Sequence, residues 1–183
     1  MIIFASLIIV ILFIAIIIFS FPQFSPIPYF PSNGKDIPMI IEGLNLTNNQ
    51  TIVDLGAGDG VVILKAAIEA KEKKLNTQFI ALELNPILIL ILHLRRFLHP
   101  NRKNIKINWG DMFKIDYQRL TFDVPRLTFY LYISPWFIEK VVQKIRKEVP
   151  SARFVSYYYP IKSLKHKEKK VTGVHSLYSY KIS

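Results

Sequence analysis

The sequence predicts an α/β fold: a mostly parallel sheet flanked by helices, its last strand antiparallel, preceded by one N-terminal transmembrane helix. Three observations predict it. From residue 36 onward, short continuous apolar runs alternate with helix-length segments, the pattern of a parallel sheet covered on both faces. Turns rich in glycine or acidic residues follow several of these runs at their carboxyl ends, where open α/β sheets bind their ligands. Residues 1–21, MIIFASLIIVILFIAIIIFSF, carry no charge.

As a helix, residues 1–21 are about 30 Å long, the thickness of a hydrocarbon core. No basic residue precedes the run and Phe21-Pro22-Gln23-Phe24 follows it, which disfavours a cleaved signal peptide. Lys35 is the first charged residue, so flanking charge places the folded domain in the cytoplasm. The chain therefore divides into a transmembrane anchor (1–21), a proline- and aromatic-rich linker (22–34) and a folded domain (35–183). In the linker, FPQFSPIPYFPS, four prolines favour a stiff, extended course. Phe21 and Phe24 suit either the headgroup level or a short structured link.

Asp36 to Leu46 is a helical candidate with Pro38 in its first turn. Thr51 to Leu55 reads as a buried strand, Gly56 to Gly60 as a tight turn, and Val61 to Lys74 as a helix. Thr77 to Leu84 is a second strand, followed by Asn85-Pro86 and a helix to Phe97. Ile105 to Trp109 is a third strand and Leu127 to Ile133 a fourth. Ser134 is expected to cap a helix that starts at Pro135 and runs to Glu148. Phe154 to Tyr158 is a fifth strand. Val174 to Ile182 is the last, pairing with a short one near Lys170 to Thr172. The run KSLKHKEKK (162–170) suits a solvated loop or a lipid- or partner-binding patch equally.

Composition bounds the chemistry. The chain of 183 residues has room for one domain core beside the apolar start. With 51% hydrophobic and 20% charged residues it is not a disordered chain. The absence of cysteine excludes disulfides, thiolate metal sites and cysteine nucleophiles. A net charge of +11 points to an acidic partner such as nucleic acid, anionic lipid or an acidic protein face.

The residues at the strand ends carry the functional argument. VDLGAGDG (53–60) has glycines at 56, 58 and 60, not the G-x-G-x-x-G spacing of a dinucleotide loop. Asp54 and Asp59 there repel a pyrophosphate and suit a cationic amine or sulfonium. Glu83, at the second strand end, is placed to accept both hydroxyls of a ribose. Asp111, after the third strand, is placed to accept from an adenine amino group. Each alone reads equally as a turn or capping residue. All three in order, each at a strand end, point to a nucleoside with a positive charge.

VDLGAGDG, ELNP (83–86) and Gly110-Asp111 resemble the successive motifs of class I, Rossmann-like, S-adenosylmethionine-dependent methyltransferases. Within that superfamily the chain is similar to membrane-anchored protein-lysine methyltransferases, whose members act on the ATP synthase c-subunit and the adenine nucleotide translocase. The matching features are the apolar start, Pro28-Tyr29-Phe30-Pro31-Ser32, Pro135 after strand four, and VSYYYPI (155–161) followed by LYSYKI. The resemblance implies S-adenosyl-L-methionine as cofactor. It places Asp54, Gly56, Ala57 and Gly58 against the methionine part, and Glu83 with Leu84 against the ribose. Asp111, with Met112 or Trp109, falls against the adenine, and Tyr29, Pro31 and Ser32 close over the cofactor. Where methyltransferases acting on adenine carry Asn/Asp-Pro-Pro-Tyr/Phe, this chain has Ile133-Ser134-Pro135-Trp136-Phe137, so no nucleic-acid substrate is expected.

The expected reaction is methyl transfer to a lysine amine, which must first lose a proton from a pKa of about 10.4. An apolar, aromatic channel favours the neutral amine. Ser134, Pro135, Trp136 and Tyr158, the last beside Tyr157 and Tyr159, are the expected walls on the acceptor side. No residue stands out as a dedicated base. The expected partners are a membrane protein with a lysine near the cytoplasmic surface and an anionic bilayer. A membrane-associated small molecule or lipid is the alternative acceptor.

Overall fold

The computed structural model describes residues 2–20, 29–120, 125–149 and 151–182. One seven-stranded sheet forms the frame, in the order β3-β2-β1-β4-β5-β7-β6. Its strands are β1 (Gln50–Leu55), β2 (Gln78–Glu83), β3 (Ile105–Trp109), β4 (Arg126–Leu131), β5 (Ala152–Tyr157), β6 (Lys169–Thr172) and β7 (Ser176–Ile182). The first five are parallel; β7 pairs antiparallel with β5, and β6 with β7. The Rossmann-like sheet with one antiparallel end matches the predicted fold class.

The helices are α1 (Ile2–Ser20), α2 (Ile37–Leu44), α3 (Val61–Glu72), α4 (Pro86–Phe97), α5 (Tyr117–Leu120) and α6 (Pro135–Glu148). All six residues of β1 are buried, as a central strand covered on both faces requires. One apolar layer packs α2, α3 and α4 against the sheet through Ile40, Leu44, Ile63, Ala67 and Leu92. The other packs α6 through Ile138, Val141, Val142 and Ile145, spaced as one helical face. Phe129 and Phe154 stack beneath it with ring centroids 5.6 Å apart. Each fully buried Leu, Ile or Phe contributes about 1.5–3 kcal/mol by leaving water.

The structure departs from the sequence reading at several boundaries. β1 starts one residue early because the Gln50 side chain is satisfied inside, donating to Thr128 Oγ1 at 2.9 Å. β4 ends at Leu131, two residues before the expected end. α5 is unanticipated; its Tyr117 hydroxyl donates to the Met112 carbonyl at 2.7 Å. Ser134 stands at the α6 N-cap, but its side chain makes no capping bond. The basic run forms a 3-10 turn over Lys162–Lys167 with Leu164 buried, and Glu168 accepts from the Tyr180 hydroxyl. His99 is structural, with Nδ1 accepting from Asn101 N and Nε2 donating to Leu64 O.

α1 covers Ile2–Ser20 of the predicted span, with side chains described at Phe4 and from Ser6 to Ile14. Among the described residues no helix is long and apolar enough to cross a membrane. Phe21, Phe24 and Pro28 of the predicted linker lie outside the described residues.

Candidate active site

The sheet order reverses between β1 and β4, and there the turn after β1 opens a cleft. Gly56 and Gly58 hold φ of 75° and 57°, values that side chains with a Cβ rarely adopt. The backbone N–H groups of Gly56 and Ala57 donate to Leu82 O at 2.9 and 3.0 Å. Gly58 N donates to Glu83 Oε2 at 2.8 Å. The other carboxylate oxygen, Oε1, accepts from Leu84 N and Asn85 N at 2.8 and 2.9 Å. Glu83 thus locks the ends of β1 and β2 together.

Two adjoining hollows result. One is lined by Tyr29, Gly56, Glu83, Leu84, Asp111 and Met112, together with Tyr132. The other is lined by Tyr29, Pro31, Ser32, Asp54, Gly56, Ala57 and Gly58, again with Tyr132. Every residue assigned from the sequence to the cofactor lies on one or both, except Trp109, the alternative to Met112. Tyr29 lies over the glycine turn: a Cβ on Gly58 would sit 2.5 Å from its ring. Its hydroxyl is pushed up to about 12 by burial and by the neighbouring Asp59 carboxylate. Ser32 Oγ lies 3.3 Å from the Tyr130 hydroxyl.

The electrostatics follow from three carboxylates in a small space. Asp54 is buried, and burial together with the Glu83 and Asp59 charges raises it from 3.8 to about 8. Asp59 is offset by Arg95, whose guanidinium lies 2.6 Å away. No such cation faces Asp54 among the described ion pairs. The hollow therefore suits a positively charged ligand, which would favour ionised Asp54. At the other end Asp111 Oδ1 accepts from Phe113 N at 2.8 Å.

The acceptor side differs from expectation. Ser134, Pro135 and Trp136 line neither hollow, and Trp136 is 83% exposed. Because β4 stops at Leu131, the residues just past the strand are Tyr132 and Ile133, and Tyr132 borders both hollows. Its ring meets Tyr157 at 4.9 Å. From there an aromatic cluster continues outward: Tyr157 to His175 at 5.8 Å, His175 to Tyr158 at 4.5 Å, and Tyr158 to Tyr159 at 4.6 Å. Tyr157 is fully buried and Tyr158 is 41% exposed, so the cluster joins the cleft to the surface. Tyr158 belongs to this cluster but lines neither hollow, and its backbone holds a φ of 73°.

Asp36 was read only as a helix start. Its carboxylate accepts from the Tyr157 hydroxyl (2.7 Å), Val174 N (2.7 Å) and His175 N (2.8 Å). Burial opposes its charge, but these bonds hold it below the usual carboxylate range. It fastens the aromatic wall to α2. Tyr130 and Tyr132 were also missed. The signal for them was their two-residue spacing: both pack with the same apolar layer, and Tyr130 pairs in register with Asp54.

No protein-family model matches the chain. Over 99 residues it is 30% identical to a probable ribosomal RNA small subunit methyltransferase A from Methanosphaera stadtmanae, a match covering 54% of this chain and 34% of that protein. The chain thus spans about a third of the length of the curated relative it matches. An RNA methyltransferase from Salinibacter ruber, solved in complex with S-adenosyl-L-homocysteine, superposes with a TM-score of 0.67 at 18% identity, covering 84% of this chain and 94% of that one. Precorrin-6y C5,15-methyltransferase from Geobacter metallireducens gives 0.58 at 14% identity, covering 82% and 90%. The fold is that of the class I, Rossmann-like methyltransferases.

Proposed function

We propose that the protein is an S-adenosylmethionine-dependent methyltransferase that methylates an amine nitrogen, with a lysine of a membrane protein as the acceptor its site favours. The observation that carries the first part is the convergence of Tyr29, Asp54, Glu83 and Asp111 on one cleft at the switch point. Glu83 would hold the ribose, Asp111 the adenine end and Asp54 the cationic methionine end. When bound, the cofactor supplies an electrophilic methyl group on a sulfonium.

The chain's own residues then have to align the acceptor and keep it neutral. Tyr132 borders both hollows and leads to Tyr158 and Tyr159, a lining that disfavours an ammonium ion by desolvation. Burial and the neighbouring tyrosines push Tyr132 upward, as burial does Tyr130 and Tyr157. These phenols stay protonated at neutral pH, so the amine proton leaves to water through the aromatic mouth. Two features of the sequence favour a membrane acceptor: the uncharged, apolar run of residues 1–21 and the basic excess. In this reading the anchor is single-pass, the domain is cytoplasmic and anionic lipid is a partner.

A second reading, an RNA acceptor, draws on the ribosomal RNA methyltransferase likeness and on the charge of +11. A lipid or small-molecule amine fits the anchor as well as a protein does. Incubating the full-length protein with methyl-labelled cofactor and separate membrane-protein, lipid and RNA fractions separates the three. The expected result is label on membrane-protein lysines, identified by mass spectrometry. Label confined to RNA or lipid rejects the lysine assignment, and no transfer to any fraction rejects the activity.

A further inference from the structure

Helix α4 is apolar on the side facing away from the protein as well as on the side packed inward. Leu88 and Leu92 are buried, while Leu90, Leu94, Phe97 and Leu98 on the opposite side are 59–82% exposed. Their spacing of four, three and one residues aligns them in one outward stripe. A helix that faces only water carries polar residues there.

The surroundings of the stripe say what covers it. Arg96, Arg102, Lys103 and His93 border a hollow beside Leu94 and Phe97. From Pro86 to Trp109 the chain has five Lys or Arg and no Asp or Glu. Arg102, Lys103 and Lys106 are exposed. Trp109, at the end of edge strand β3, is 70% exposed, and its ring N–H donates to Leu84 O at 2.9 Å. An apolar stripe edged by cations, with an exposed indole alongside, has the chemistry of a helix lying at an anionic membrane surface. The apolar helix α1 is in contact with α4.

We propose that the outward face of α4, with Trp109, seats on an anionic bilayer, the stripe entering the acyl boundary and Arg102 and Lys103 meeting lipid phosphates. The docked face then lies one residue from the cofactor cleft, since Leu84 both lines that cleft and accepts the Trp109 bond. The inference shares the membrane reading given above but rests on a different surface from the anchor.

The test uses the full chain with Trp136→Phe, which leaves Trp109 as the single tryptophan. It is reconstituted in vesicles containing about 30 mol% phosphatidylserine or none, with phospholipids brominated along the acyl chain. Bromine should quench Trp109 more strongly in anionic than in neutral vesicles. Adding Leu94→Glu and Phe97→Glu should weaken the quenching roughly twofold or more without lowering the unfolding temperature, because both sites are exposed. Arg102→Gln and Lys103→Gln should each reduce the anionic preference by about fivefold. Equal quenching in both lipids, no effect of the glutamates, or a dimer that shields Trp109 without lipid would overturn the proposal. Quenching that persists where alkaline carbonate releases the protein supports the docking face while rejecting the span.

Discussion

Replacing Asp54 with asparagine removes a buried carboxyl that burial, Glu83 and Asp59 raise from 3.8 to about 8. A cationic ligand favours the ionised form, so cofactor binding has to draw on the fraction of protein in which Asp54 has lost its proton. With a value of about 8, half the sites are ionised at pH 8 and roughly one in 100 at pH 6. The apparent affinity should therefore rise roughly 50-fold between pH 6 and pH 8 and level off above it. Calorimetry across pH 6–9, in buffers of different ionisation enthalpy, should also detect protons released on binding. Taking the ratio of wild-type to Asp54→Asn affinity at each pH removes the ligand's own titration. The stability sign is opposite: a carboxyl raised in the folded state stabilises fully below about 3.8, and that contribution is lost as pH rises through about 8. The unliganded wild type should thus lose thermal stability between pH 6 and pH 9, while Asp54→Asn holds its value. A wild-type affinity that is flat with pH, with no proton exchange, would refute the assignment of Asp54 to the cationic end.

Three further outcomes follow from the hydrogen bonds and backbone angles. Glu83→Gln sets an amide NH2 against either the Gly58 N–H or the N–H groups of Leu84 and Asn85; it should cost about 2–4 kcal/mol in denaturant unfolding and weaken cofactor affinity at least roughly 30-fold. Asp36→Asn should cost about 2–3 kcal/mol at pH 7 by the same logic. Because Asp36 is lowered in the folded state, its contribution is lost as pH falls below about 3.8, so acid should narrow the gap between wild type and variant in urea melts. Tyr158→Gly relieves a side chain held at φ 73°; its melting temperature should stay level or rise, while steady-state kcat/KM for the acceptor falls and cofactor affinity holds.

The central sheet was legible because buried parallel strands carry their own pattern. Val53, Ile80 and Phe129 sit in largely apolar runs, and the glycine and acidic residues after those runs marked the cofactor side. Asn85-Pro86 announced α4, and Asn85 does cap it, accepting from Ile87 N at 2.9 Å. What failed was the end of β4. Tyr132 and Ile133 are apolar enough to continue the strand, which places the expected acceptor wall at Ser134 to Trp136, just past the residues that line the hollows. Nothing local to Asp36 announces bonds to residues 121, 138 and 139 positions away. Likewise the exposed Leu90 and Leu94 look like core in sequence, because outward and inward leucines are indistinguishable without the helix in place.

The strip from Tyr29 to Ser32 is a roof rather than a foundation. It borders the two hollows, yet neither apolar layer of the sheet includes it. Trimming the chain to improve its solubility is therefore deceptive if the cut falls after Ser32. In the proposed reading such a fragment keeps every strand and loses cofactor affinity. A soluble version worth making has to begin no later than Tyr29.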